Sequence, residues 1–170
     1  MAVDHGEFME FATARSAHLF RTAYLLCGDW HLAEDLTQTT LATLYRHWKR
    51  VRRADNPAAY AQAAVVRAFL SHRRLRRATE RPTGTLPDTP QAEPDDAALR
   101  VTLLAALREL PAKDRAVVVL RYWDDRSVEE TAALLRMRPG AVRTRAMRAL
   151  ARLRVALGDD RELLRELALR

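Results

Sequence analysis

Residues 127–154 read SVEETAALLRMRPGAVRTRAMRALARLR, and this stretch decides the fold. It predicts two short helices joined by a tight turn. Ser127, with Glu130 three residues on, forms a capping box that opens the first helix. Ala132, Leu134 and Leu135 supply that helix with apolar contacts. Pro139 suits the first turn of the second helix, where its missing N–H has no intrahelical partner to lose. At about 100° per residue, Val142, Ala146, Ala149, Leu150 and Leu153 share one side of that helix. Thr144, Arg145, Arg148 and Arg152 are expected opposite, with Arg143 at their flank. From Arg136 onward the stretch carries seven arginines and no acid. An apolar face backed by a dense cationic face is what a helix needs to lie in a DNA groove. A solvated basic face on a core helix would look similar in charge alone. The cap, the turn, small Ala132 at the crossing and the opposed faces together favour DNA.

One local rule is broken. Turns of this kind usually carry glycine where the first helix ends, because the backbone there needs a positive φ. Arg136 stands at that place, and a non-glycine residue in the left-handed region costs about 1 kcal/mol. Either the turn is remodelled or packing offsets the strain.

The whole chain has 170 residues, enough for one ordinary domain or two small ones. Lys and Arg number 29 against 22 acids, a net charge of +7 that favours a polyanionic partner. With 48% apolar residues a core can form, and few glycines among abundant Ala, Leu and Arg point to an all-α fold. No apolar run approaches a membrane span, and the opening MAVDHGEFME lacks a signal-peptide pattern, so no membrane insertion is expected. The single cysteine, Cys27, excludes an intramolecular disulfide and fits a reducing cytoplasm. Its apolar setting, LLCGD, makes it a core filler.

Charge is segregated along the chain. Between Arg46 and Arg77 stand ten Arg and Lys residues and one acid, Asp55. Between Thr79 and Asp96, TERPTGTLPDTPQAEPDD holds four prolines, five acids and one arginine. Such a segment cannot bury enough apolar surface to order itself. It reads as an acidic linker, 79–96, between an N-terminal helical module, 1–78, and a C-terminal one, 97–157. A tail, 158–170, follows, in which Asp159 is positioned to cap an amphipathic turn or two. In the first module a helix or helix pair is expected over Phe8–Cys27, with Phe11, Leu19, Phe20, Ala23 and Leu26 inward. Gly28 stops it and Asp29 caps a second helix running to Trp48. Its inner face holds Ala33, Leu36, Thr40, Leu44 and Trp48, and its outer face Asp35, Gln38 and Ala42. A loop, VRRADNP, precedes a helix that starts at Pro57 and ends strongly basic. In the second module, helices fit 97–109 and 112–123.

Residue types that carry chemistry are not in usable patterns. There is no phosphate-binding glycine loop and no GxSxG. The five histidines lie thirteen or more residues apart, and one cysteine cannot build a zinc finger. The acidic pairs Glu34–Asp35, Asp95–Asp96 and Glu129–Glu130 are sequence neighbours that point to different sides of a helix. No catalytic residue, metal site or cofactor is expected, and the chain does not read as an enzyme.

Four fragments in this order are similar to the extracytoplasmic-function (ECF) group of RNA polymerase sigma factors, in the sigma-70 family. They are LFRTAYLLCGDWHLAEDLTQTTLATLYRHW, RVRRADNPAAYAQAAVVRAFLSHRR, LRELPAKDRAVVVLRYWDDRSVEETAALL and PGAVRTRAMRAL. The flavour resembles the SigE-like actinobacterial branch. The resemblance covers 8–156 and implies a region 2 bundle followed by a region 4 helix-turn-helix. It implies core RNA polymerase as partner, through the β′ coiled coil and the β flap, with Asp35, Gln38 and Ala42 at the contact positions of the second helix. It implies promoter DNA as the other partner. The loop VRRADNP matches the part that captures a flipped base of the −10 element, which makes Arg52, Arg53, Asn56 and Tyr60 its candidates. For Tyr60, a place in the core is an equal reading. Arg67 stands where the family often has asparagine, and His72, Arg73, Arg74, Arg76 and Arg77 are expected on phosphates. Arg138, Arg143, Thr144, Arg145 and Arg148 match the −35 reading positions. The acidic linker corresponds to the segment that threads the polymerase cleft, with a plain spacer as the equal alternative. An anti-sigma factor is a further class of partner that the resemblance leaves room for. The competing reading is a one-component regulator with a ligand-binding or dimerising N-terminal module. A third, a DNA recombinase, lacks a catalytic constellation.

Overall fold

The structure is a computed structural model that describes residues 2–79 and 94–157, with side chains from 5 to 79 and from 100 to 157. The chain divides into two compact units, Met1–Pro87 and Asp88–Arg170. Regular structure among the described residues is helical throughout. Most of the expected linker and the tail after Leu157 lie outside the described residues.

In the first unit α1 is one continuous helix, Ala2–Cys27, so the helix-or-pair alternative resolves to a single rod. It buries Phe8, Leu19, Ala23 and Leu26. Gly28 then takes a φ of 66°, where a side chain would be strained. Asp29 caps α2 (Trp30–Arg46), its Oδ1 accepting from the Leu32 N–H at 2.7 Å. Ala33, Leu36, Thr37, Thr40 and Leu44 form the buried face of α2. The two threonines donate to the Ala33 and Leu36 carbonyls, which satisfies both buried hydroxyls of α2. At His47 the backbone leaves the helical region, and Trp48 opens a separate short helix, α3 (Trp48–Val51). Pro57 opens α4 (Pro57–Thr79), which buries Ala61, Gln62, Ala63, Val65, Val66 and Phe69. Helices α1, α2 and α4 pack pairwise into a bundle, and α3 closes one end against α1 and α2. Phe69, Leu19, Leu26 and Leu44 are fully buried, each stabilising the bundle by about 1.5–3 kcal/mol relative to exposure.

In the second unit, α5 (Pro94–Glu109), α6 (Ala112–Val118) and α7 (Val128–Leu135) each pack on α8 (Pro139–Leu157). The helix expected over 112–123 widens at Val119 into a π-helical turn, Val119–Trp123, closed by the Asp124 N–H on the Val119 carbonyl at 3.0 Å. Buried Arg115 ties the α5–α6 corner by donating to the carbonyls of Arg108 and Leu110, at 2.9 and 3.0 Å. The capping box forms in both directions: Glu130 N–H to Ser127 Oγ at 3.0 Å, and Ser127 N–H to Glu130 Oε2 at 2.8 Å. Val117, Ala132, Val142 and Ala146 make one buried cluster, with Val128, Leu135 and Met137 packed around it.

The turn is not remodelled. Arg136 adopts φ 53°, ψ 50°, the left-handed conformation that glycine would take more cheaply. Two hydrogen bonds offset the strain: Met137 N–H to the Ala132 carbonyl at 2.9 Å and Arg136 N–H to the Ala133 carbonyl at 3.4 Å. These are the two bonds of a Schellman motif, and Met137 adds the apolar contact that accompanies it.

Candidate nucleic-acid interface

The outer face of α8 is built by its own periodicity. With Val142, Ala146, Ala149 and Leu153 inward, Arg143, Thr144, Met147, Arg148 and Arg152 are exposed. Arg138 is exposed at the N-terminal edge of the helix, its carbonyl accepting from the Ala141 and Val142 N–H groups. Thr144 donates its hydroxyl to the Gly140 carbonyl at 3.0 Å. Glu129, at the start of α7, pairs with Arg143 at 3.3 Å, with both side chains largely in solvent.

Arg145 does not stand where the helical stepping put it. It lies about 70° from the middle of the buried stripe, at the edge of the core and not opposite it. Its guanidinium is engaged by Asp114 of α6, whose side chain is 5% exposed. The carboxylate is therefore buried against a charge-assisted donor from α8. Sequence reasoning missed Asp114 because an acid in the first turn of a helix reads as surface. It also missed Met147, whose side chain is 68% exposed in the middle of the polar face. The signal was available: an apolar residue three positions from Thr144 and four from Arg143 shares their face and has no core to enter.

In the first unit the end of α3 and the start of α4 border a solvent-open cavity of about 590 Å³, lined by Lys49, Arg50, Arg53, Ala54 and Tyr60. Three cations and one tyrosine thus border the same open space. Arg67 stands over the Tyr60 ring, 5.9 Å from its centroid, so the phenol is gripped on one side by a cation. Of the loop candidates, Arg53 and Tyr60 line this cavity. Arg52 instead pairs with Glu7 of α1 at 3.0 Å. Asn56 spends its side-chain oxygen as the cap of α4, accepting from the Ala59 N–H at 2.9 Å. Lys49 and Arg50 were not singled out from sequence; they hide in a run of cations whose facing depends on the break at His47.

Further along α4, Arg73 and Arg74 are exposed, as are Arg76 and Arg77. His72 differs from them. Burial, then the Arg76 and Arg73 charges, push its pKa below the ordinary value, against a smaller opposing pull from Asp35. The shift favours the neutral imidazole over one more cation. Asp35, Gln38 and Ala42 are all exposed on the outer face of α2.

Residues 12–79 match Sigma-70 region 2 and residues 100–153 match Sigma-70, region 4. The chain is 40% identical over 155 residues to the RNA polymerase sigma-E factor of Streptomyces coelicolor, covering 89% of this chain and 86% of that protein. It is 39% identical over 166 residues to the sigma-E factor of Streptomyces avermitilis, covering 94% and 90% respectively. Among solved structures, the sigma factor RpoE from Bartonella quintana, crystallised with the anti-sigma factor NepR, has the same fold, with a TM-score of 0.73. It shares 22% identity, over 91% of this chain and 98% of that one. The chain belongs to the extracytoplasmic-function sigma factors of the sigma-70 family, non-catalytic RNA polymerase subunits that direct transcription initiation.

Proposed function

We propose that the two units divide promoter recognition between a melted and a double-stranded element. The cavity at Lys49, Arg50, Arg53, Ala54 and Tyr60 carries this reading. Opening a duplex requires a protein that binds the opened strand better than the closed one. An unstacked base entering this cavity meets the Tyr60 ring, worth about 1–3 kcal/mol per stacked base, while the cations hold its phosphates. That gain offsets the few kcal/mol lost on unstacking. Arg67, His72, Arg73 and Arg74 extend the track along α4, with His72 as a neutral hydrogen-bonding group.

The second unit reads the −35 element as duplex. Arg143 and Arg148 are the base-reading arginines, suited to bidentate contact with guanine edges. Met147 offers an apolar surface for a thymine methyl, Thr144 a hydroxyl, and Arg138 a phosphate contact. Arg145 positions the helix through Asp114. Asp35, Gln38 and Ala42 present the face of α2 to the polymerase β′ coiled coil, and the second unit meets the β flap. The protein works in the cytoplasm, where core polymerase is. The complex of the Bartonella quintana factor with NepR supports an anti-sigma factor as a regulating partner here too. Family membership sets aside the one-component regulator.

Start-site mapping tests this reading. Core RNA polymerase reconstituted with this protein on genomic DNA should start transcription at sites sharing two separated sequence blocks. Starts with a single shared block would contradict the division of labour.

A further inference from the structure

The stretch that matches Sigma-70 region 2 begins at residue 12, yet α1 is already helical from Ala2. The turns ahead of residue 12 do not project into solvent. Phe8 is 7% exposed and packs on Tyr45 and Trp48, with ring centroids 5.0 and 5.3 Å apart. The His5 ring meets Tyr45 edge-on, and its Nδ1 lies 3.4 Å from the Tyr45 hydroxyl. These contacts seat the start of α1 on the segment that leads into the cavity. One helical position from Phe8, the Glu7 carboxylate accepts from Arg52 Nη1 at 3.0 Å.

Arg52 belongs to a cluster of four cations in five residues, with Lys49, Arg50 and Arg53. The other three line the cavity, and Arg52 does not. The backbone between them is wound: Arg52 N–H bonds the Trp48 carbonyl at 2.9 Å, and Ala54 N–H bonds the Val51 carbonyl at 3.0 Å. The wound backbone presents successive side chains in different directions, and an anchor on Arg52 restrains the segment that also carries Arg53 and Ala54. Anchoring Arg52 on one side therefore sets how Arg53 and Ala54 face the cavity.

We infer that Glu7, ahead of the family-matching stretch, is a positioning residue for the base-capturing cavity. It holds Arg52 outside the cavity and so fixes the turn that presents Arg53 and Ala54 to the entering base. The start of α1 is then part of the specificity apparatus. This inference rests on the reading of the cavity as a base pocket.

The test uses the full chain bound to core RNA polymerase and four forked DNA probes. The probes are identical except for one unpaired base at the fork. The unchanged protein should bind one probe better than the others. Glu7→Gln should lower the ratio of tightest to weakest probe about threefold, the scale of one partly exposed ion pair. Glu7→Asp should retain most of the ratio, and Glu7→Arg combined with Arg52→Glu should restore it. Loss of an acid that merely increases general attraction would tighten all four probes equally, and that result overturns the inference. A Glu7→Gln protein of lower melting temperature with an undiminished ratio also overturns it. Equal binding of all four probes by the unchanged protein would overturn the pocket reading together with this one.

Discussion

The guanidinium of Arg145, on α8, is held by the buried carboxylate of Asp114 on α6. This pair crosses the interface on which α8 rests, where α6 and α8 pack together. A base-reading arginine must be available to the groove, and this one is committed to its own fold. Replacing Arg145 with Ala strands a buried carboxylate. The expected cost is about 2 kcal/mol, less than a fully buried pair loses, because Arg145 remains 31% exposed. Thermal unfolding of the full chain checks it. Binding to −35 duplexes should weaken by a similar factor whatever their sequence. Selective loss of preference at one base pair would return Arg145 to the reading set.

Arg148 should behave in the opposite way. It is exposed on α8. Arg148→Ala should leave the melting temperature nearly unchanged. It should cost about 1–3 kcal/mol on the best duplex and relax preference at one position. Competition binding against single-base variants of the duplex separates the two arginines.

Arg136 was visible in the sequence as a residue in glycine's place, and the structure keeps it in the left-handed region. Arg136→Gly should stabilise the second unit by about 1 kcal/mol. Chemical denaturation of the full chain measures this, and no gain would contradict a left-handed strain at Arg136 larger than the freedom glycine adds to the unfolded chain.

These residues show what the sequence could and could not disclose. Caps and stops were legible because they act locally: Asp29, Gly28, Ser127 with Glu130, and Arg136 each depend on a few neighbouring residues. The buried stripe of α8 was legible because periodicity alone defines it. The partners of Arg145 and Arg52 were not, since Asp114 and Glu7 lie 31 and 45 residues away along the chain. Asn56 looked like a base contact because its loop carries that role in the family. Its side-chain oxygen also caps the next helix, whose first N–H groups need an acceptor, a second role that the resemblance does not announce. The cavity itself needed the break at His47, which no strong helix breaker announces.

His72 gives a pH dependence. Its folded-state pKa lies below the ordinary 6.5, with burial as the main cause, then Arg76 and Arg73, and Asp35 opposing. The unfolded chain therefore binds more protons as pH falls through that window. Stability from this group is fully present above the unfolded value and is lost as pH drops through the folded one. Melting temperature followed downward from neutral pH should fall, and His72→Gln should flatten that part of the curve. An identical slope in the variant would contradict the assignment.

Promoter opening by holoenzyme carrying Tyr60→Ala tests the central claim most directly. Permanganate reactivity of unpaired thymines reports the opening. The account predicts that the variant still occupies duplex promoter through its second unit, fails to open it, and regains transcription on a template melted in advance. Normal opening of duplex promoter by this variant would contradict the assignment of the Lys49–Tyr60 cavity to the captured base.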